Sequence, residues 1–103
     1  MPRDRSPCVY ILANAPRGTI YIGVTSDLAG RLYQHRHGVT DGFASRYKVY
    51  RLVYFEMAET MDAAIGSEKQ LKRWHRDWKL NLIERQNPEW NDLAPGLGIA
   101  EKL

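Results

Sequence analysis

The stretch from position 20 to 35 constrains the fold most, because it reads as a β-strand that continues directly into an α-helix. Apolar side chains alternate with Tyr21 and Gly23 up to position 24, which is the two-residue period of a strand. The sequence Thr-Ser-Asp at 25–27 then supplies side-chain oxygens of the kind that cap helix N-termini. We therefore predict a strand that ends near position 24 and a helix that begins near Asp27 or Leu28.

Arg31 and His35 stand four residues apart on this predicted helix. Side chains at that spacing project from the same helix face, so both should lie near the strand that carries Tyr21. A tyrosine, an arginine and a histidine are thus predicted to meet in one small volume.

A short apolar run from Cys8 to Leu12 predicts an earlier strand, and the Asn, Pro and Gly residues between positions 14 and 18 predict the connecting turn. If that turn centres on positions 15 and 16, Tyr10 lies opposite Tyr21 in an antiparallel hairpin and both rings point from the same sheet face. A register slip of one residue would separate the two rings.

The second half of the chain predicts one more strand and two more helices. Residues 50–57 are rich in β-branched and aromatic side chains, and Thr60 is placed to cap a helix that runs to about position 75. A further helical pattern ends at about Gln86, before Pro88. The order β-β-α-β-α-α predicts a small α+β domain with a three-stranded antiparallel sheet flanked by helices.

Glu68 falls on the apolar side of the helix that follows Thr60, because the inward positions form the series 61, 64, 65, 68 and 71. An unpaired carboxylate on a buried face is costly. Glu68 is therefore either a functional residue or one half of an ion pair with Lys72 or Arg73.

The composition fits one globular domain, since 103 residues with 44 % apolar side chains suffice for a single core. We expect this domain over residues 1–93 and a flexible tail over 94–103, where proline and glycine recur. The one cysteine, Cys8, excludes an internal disulfide and is expected in the core rather than as a nucleophile. Apolar runs are too short to span a membrane and no signal segment is found, so we expect a cytoplasmic protein without a membrane partner.

The formal net charge of +3 and the pI of about 9.2 favour polyanionic partners. Cationic side chains are interleaved with Tyr and Trp, a mixture typical of nucleic-acid-binding surfaces, although solvated helix faces give the same pattern. The cations that we expect to contact nucleic acid are Arg46, Lys48, Lys72 and Arg73.

These motifs together resemble the GIY-YIG nuclease superfamily, in the form of a small single-domain member. The sequence Tyr-Ile-Gly at 21–23 matches the family's second tyrosine motif, and Val-Tyr-Ile at 9–11 stands where the first motif lies. Arg31 and His35 fall at the family's helix positions, and Glu68 resembles its metal-binding glutamate. The resemblance extends to about position 93.

The resemblance implies a divalent-metal-dependent endonuclease that hydrolyses phosphodiester bonds in DNA. One Mg²⁺ or Mn²⁺ ion would be held by Glu68, and Arg31 would hold the scissile phosphate. The candidate general bases for the attacking water are Tyr10, Tyr21 and His35. The resemblance favours a tyrosine with His35 as its proton relay and leaves open which tyrosine acts.

The resemblance also implies supporting roles for Gly23 and for Asn87, with Asn91 as the alternative to Asn87.

The chain departs from the family pattern in two places. Its first motif lacks the Gly-Ile-Tyr order but keeps the tyrosine. Positions 24–26 lack the lysine that some members carry after the second motif, so one phosphate contact is absent or supplied elsewhere.

We expect no accessory DNA-binding domain within this length. The resemblance then implies a structure-directed or weakly sequence-specific enzyme that acts on branched or single-stranded DNA, in repair or recombination, as a monomer or weak homodimer. Two alternatives stay open. One is a nucleic-acid-binding module on the same fold with little or no cleavage activity, and the other is a protein-interaction domain.

Overall fold

A three-stranded antiparallel sheet forms the centre of the protein in a computed structural model that describes residues 6–36 and 47–97. Strand β1 (Cys8–Ala13) lies between β2 (Ile20–Thr25) and β3 (Arg51–Met57). The predicted α+β class and element order are confirmed. The described helices are α1 (Leu28–Arg36), α2 (Met61–Arg73) and α3 (Arg76–Gln86), followed by a 3-10 turn at Pro95–Leu97.

The register of the first hairpin differs from the prediction by two residues. Tyr10 lies opposite Gly23, and Tyr21 lies opposite Leu12. The reason is a longer connection, in which the Asn14 side chain accepts a hydrogen bond of 2.9 Å from the backbone N–H of Thr19. Because side chains alternate with a period of two, a shift of two residues leaves both tyrosines on the same sheet face.

Helices cover both faces of the sheet, and each face has its own hydrophobic cluster. The α1 face buries Tyr10, Leu12, Leu32, Val49, Leu52 and Ala94. The α2–α3 face buries Val9, Ile11, Ala13, Ile22, Val53, Tyr54, Leu71, Leu80, Ile83 and Trp90. A bulge in the pairing of β1 with β3 explains why two successive β3 residues, at 53 and 54, belong to the same cluster.

The chain after α3 covers the outer edge of β3. The backbone N–H of Leu93 donates to the Leu52 carbonyl at 2.8 Å, and the Asp92 carboxylate accepts from the Leu52 N–H at 3.1 Å. Ala94 is fully buried, so the packed part of the chain continues past the boundary that we predicted at position 93. Residues 98–103 of the predicted tail lie outside the described residues.

The predicted helix starts are borne out, and the predicted apolar stripe of α2 is wrong at one position. Thr60 caps α2, since its hydroxyl accepts from the Ala63 N–H at 3.0 Å. Within that helix Ala64 and Leu71 are buried, but Met61 is 36 % exposed because it lies at the start of the helix, in its first turn. Among the described helices, none has the length and apolar character needed to cross a membrane.

Candidate active site

Tyr10 and His35 form a buried hydrogen-bonded pair on the α1 face. The Tyr10 hydroxyl lies 3.1 Å from Nε2 of His35, and the two residues are only 1 % and 3 % exposed. The sheet supplies the tyrosine from its middle strand. The histidine comes from the side of α1 that packs against it, where Leu32 is fully buried.

Burial sets the protonation of both members of this pair. Burial, and secondly the neighbouring Tyr21, raise the pKa of Tyr10 above its ordinary value of 10, although Arg31 acts in the opposite direction. Burial, and secondly the positive charge of Arg31, lower the pKa of His35 from its ordinary value of 6.5. At neutral pH the phenol therefore keeps its proton and the imidazole is uncharged.

Gly23 makes room for the Tyr10 ring on the neighbouring strand. A Cβ atom at position 23 would lie 2.5 Å from both Cζ and the hydroxyl oxygen of Tyr10. No real side chain tolerates that approach, so the tyrosine can lie across β2 only where β2 carries a glycine. The glycine of the second motif thus supports the tyrosine of the first.

Tyr21 and Arg31 complete this group at its solvent side. The Tyr21 ring centroid lies 6.4 Å from that of Tyr10 and 5.5 Å from that of His35. Tyr21 is partly exposed, unlike Tyr10, and lines a cleft at the outer edge of β2. Arg31 is also partly exposed, and no hydrogen bond or ion pair joins its guanidinium to another residue of 6–36 or 47–97.

Glu68 lies within electrostatic reach of this group, although it comes from a helix on the other sheet face. Its negative charge is one of the smaller influences that raise the pKa of Tyr10. Its side chain is 17 % exposed and forms an ion pair of 3.0 Å with Lys72, one turn further along α2. The structure therefore contains the ion pair that the sequence offered as one alternative, on a carboxylate whose charge also reaches Tyr10.

The side chains of this group suit a metal ion that is held mainly by water and by phosphate oxygens of a substrate. In the part of the chain that the structure describes, no three His, Cys, Asp or Glu side chains cluster as a metal site would require. A single accessible carboxylate such as Glu68 is nevertheless enough for Mg²⁺ or Mn²⁺, which commonly use one or two carboxylates together with waters and substrate phosphates. Glu68 is the described residue of the group that fits this role.

The predicted nucleic-acid contacts fall into different environments. Lys48 and Arg73 are exposed, and Lys72 is paired with Glu68. Arg46 lies outside the described residues. The sequence did not distinguish these cations from arginines that hold the fold together, which include Arg36, Arg51 and Arg76.

Asn87 lies at the end of α3 and connects elements that are distant in sequence. Its Nδ2 donates to the carbonyls of Val53 at 3.1 Å and Asn91 at 2.9 Å, and its Oδ1 accepts from the Asn91 N–H at 3.0 Å. Asn91 takes part only through its backbone in these bonds. The sequence offered two asparagines for the supporting role. Of these, Asn87 is the one whose side chain is buried and hydrogen-bonded.

Lys79 is not among the four cations that we expected to contact nucleic acid. It lines the cleft at the β2 edge together with Tyr21 and Lys72. The two lysines are seven residues apart, but a break between helices at 74–75 separates them. Helical periodicity cannot be carried across such a break, so no pattern in the sequence relates their side chains.

Comparison with known proteins identifies the class of this domain. Residues 6–81 match the family model described as the GIY-YIG catalytic domain. The chain therefore belongs to the GIY-YIG family, whose domain is that of nucleases.

Several relatives of similar length are UPF0213 proteins. One from Syntrophus aciditrophicus is 34 % identical over 82 residues, which cover 79 % of this chain and 92 % of that protein. One from Staphylococcus aureus is 32 % identical over 78 residues, which cover 76 % of this chain and 94 % of that protein. The solution NMR structure of a UPF0213 protein from Bacillus halodurans matches with a TM-score of 0.53 and 25 % identity, over 84 % of this chain and 92 % of that one.

Proposed function

We propose that this protein is a divalent-metal-dependent endonuclease that nicks DNA, with a preference for branched or single-stranded substrates and a role in repair or recombination. The observation that carries the proposal is the grouping of Tyr10, Tyr21 and His35 with the charges of Arg31 and Glu68. These are the residue types that phosphodiester hydrolysis needs: a group to activate water, a cation for the phosphate and a carboxylate for the metal.

Tyr21 is the tyrosine that we assign to the attacking water. Tyr10 is buried, its raised pKa keeps it protonated, and its hydroxyl is engaged with His35. Tyr21 is the one that reaches the solvent-facing cleft. His35, uncharged at neutral pH and with its ring 5.5 Å from that of Tyr21, is placed to accept the phenolic proton of Tyr21 as the Tyr21 oxygen takes a proton from the attacking water.

Arg31 is assigned to the scissile phosphate. The residue is partly exposed and its guanidinium has no carboxylate partner among the described residues, so its charge is available to an anion. A planar, permanently charged donor pair matches two oxygens of a phosphate and stabilises the additional charge of the transition state.

Glu68 would hold the divalent ion, which when bound neutralises charge on the phosphate and the leaving oxygen.

A nicking assay with matched glutamate variants tests the proposal. Supercoiled plasmid, a branched junction and single-stranded DNA are each incubated with Mg²⁺ or Mn²⁺ and the wild type, Glu68→Gln or Glu89→Gln. We expect Glu68→Gln to lower the nicking rate at least ~100-fold, since loss of a metal contact removes several kcal/mol of transition-state stabilisation. Glu89 is an exposed carboxylate in the loop after α3, so Glu89→Gln should match the wild type.

Equal nicking by the wild type and Glu68→Gln would refute the proposal. Salt-sensitive binding without any metal-dependent product would instead identify a nucleic-acid-binding module. A Tyr21→Phe variant that nicks as fast as the wild type, while Tyr10→Phe does not, would reverse the assignment of the two tyrosines.

A further inference from the structure

A cleft of about 280 Å³ runs along the outer edge of β2, beside the residue that we assign to the attacking water. We call it the β2-edge cleft, and it is lined by Ile20, Tyr21, Ile22, Lys72 and Lys79. Strand β2 supplies the apolar side of the cleft and one aromatic ring. The two helices on the other sheet face supply two ammonium groups.

Lys79 brings a positive charge to this cleft that no carboxylate of the described residues neutralises. Its Nζ lies 3.5 Å from the carbonyl oxygen of Lys72, near the C-terminal end of α2. Helix C-termini carry partial negative charge and hold cations nearby. Lys72 differs, because its ammonium is already paired with Glu68 at 3.0 Å. Lys79 is therefore the lysine of the cleft whose ammonium has no ion-pair partner among the described residues.

The combination of an apolar side, an aromatic ring and an ammonium group matches a nucleotide whose base is not paired. Proteins that bind single strands use this combination, with cations on the phosphates and bases against aromatic rings. Small-molecule pockets span ~300–1,000 Å³, so a cleft of about 280 Å³ has room for one nucleotide at most. A paired and stacked base keeps its faces inside the duplex and could not lie against the partly exposed ring of Tyr21.

We propose that the β2-edge cleft binds one unpaired nucleotide next to the scissile phosphate, with Lys79 on its phosphate group. This inference rests on the proposed function, because the position of the cut follows from the assignment of Tyr21. In this proposal Lys79 also supplies a phosphate contact, which is otherwise open because positions 24–26 lack the lysine that some family members carry. The substrate class that follows is DNA with at least one unpaired nucleotide flanking the cut, such as a flap, a junction or a single strand.

A binding comparison between two lysine variants tests the cleft. Fluorescence anisotropy measures Kd in EDTA for a labelled hairpin duplex with a flap and for the same hairpin fully paired. The wild type should bind the flap hairpin more tightly. Lys79→Gln should weaken binding to the flap hairpin ~5–10-fold and remove this preference. Lys69→Gln, which removes the same charge from an exposed position outside the cleft, should change both affinities less than twofold.

Lys79→Arg keeps the charge and should restore the preference, which separates loss of the contact from damage to the fold. Three results would each overturn the inference. The first is an equal loss of affinity in Lys79→Gln and Lys69→Gln, and the second is an equal loss of affinity for both hairpins in Lys79→Gln. The third is no binding of either hairpin by the wild type. Nicking of plasmid by the wild type and by Glu68→Gln is measured in parallel. If the wild type nicks and Glu68→Gln does not, a failed lysine comparison counts against the cleft alone.

Discussion

At the scale of single residues, the pairing of a glycine with a tyrosine has a consequence that can be measured. Gly23→Ala places a Cβ 2.5 Å from the Tyr10 ring and hydroxyl, both of which are held in the core. We expect a loss of ~1–3 kcal/mol in the free energy of unfolding, as for other overpacked sites. Urea denaturation followed by fluorescence measures it.

Gly66→Ala is the matched control for that substitution. Gly66 lies within α2, and a Cβ there meets nothing within 4 Å beyond its chain neighbours and the nearby backbone of its own helix. Alanine should stabilise the protein by up to ~1 kcal/mol, because glycine is a poor helix former. A Gly23→Ala protein as stable as the wild type would contradict the close approach to Tyr10.

The buried histidine should make stability depend on pH. The pKa of His35 is lower in the folded protein than its ordinary 6.5, so the unfolded chain takes up a proton more readily. The stabilising contribution is complete above pH 6.5 and is lost as the pH falls through the lowered pKa. Urea denaturation at pH 7.5, 6.5 and 5.5 should show this decline.

Replacement of the two described histidines identifies the source of the decline. His35→Gln should flatten the dependence on pH, at the cost of stability at pH 7.5. His75→Gln removes an exposed histidine and serves as the control. The same slope in the wild type and in His35→Gln would mean that other groups cause the decline.

At the scale of secondary-structure elements, the sheet depends on the segment that follows α3. That segment covers the outer edge of β3 and is held there by the three side-chain hydrogen bonds of Asn87. Asn87→Ala would leave the buried carbonyl of Val53 without this donor. We expect a loss of ~2–4 kcal/mol, from three bonds and the buried groups left unpaired.

Asn91→Ala should cost less than ~0.5 kcal/mol, because its side chain is exposed and its backbone makes the bonds. Chemical denaturation of both variants compares the two asparagines directly. Equal losses would show that the side chain of Asn87 does not anchor the segment.

At the scale of the whole molecule, the described residues of each chain contain one group of candidate catalytic residues, within a body of 41 × 30 × 26 Å. If the proposed function holds, one encounter cuts one strand. Supercoiled plasmid should become open circular first, and linear DNA should appear only after a delay. A time course on an agarose gel measures the order of the products.

The dependence on protein concentration separates the two routes to a double-strand break. With a monomer, the linear product follows the open-circular product at every concentration, although both form faster as concentration rises. A homodimer makes the two products form together once the concentration is high enough for dimers. Linear DNA formed together with the first nicks at low concentration would contradict a single site per encounter.

Local rules explain why the elements and part of the site could be predicted from the sequence. Alternating apolar residues, the capping Thr60 and the spacing of Arg31 and His35 depend only on neighbours in the chain, so strands, helices and shared faces followed from them. The hairpin register was wrong because turn length depends on a side-chain bond of Asn14 that composition does not specify.

Only the tertiary structure decided the properties that depend on distant segments. Burial of Tyr10 but not of Tyr21 follows from the sheet order, which places β1 in the middle and β2 at an edge. The position of Lys79 beside Tyr21 follows from how α3 packs after a helix break. Periodicity carries information across a few turns of one element, whereas burial and charge at a site depend on packing between elements. The sequence by itself therefore determined which residue types were available, and the packing determined which of them lie together at the candidate site.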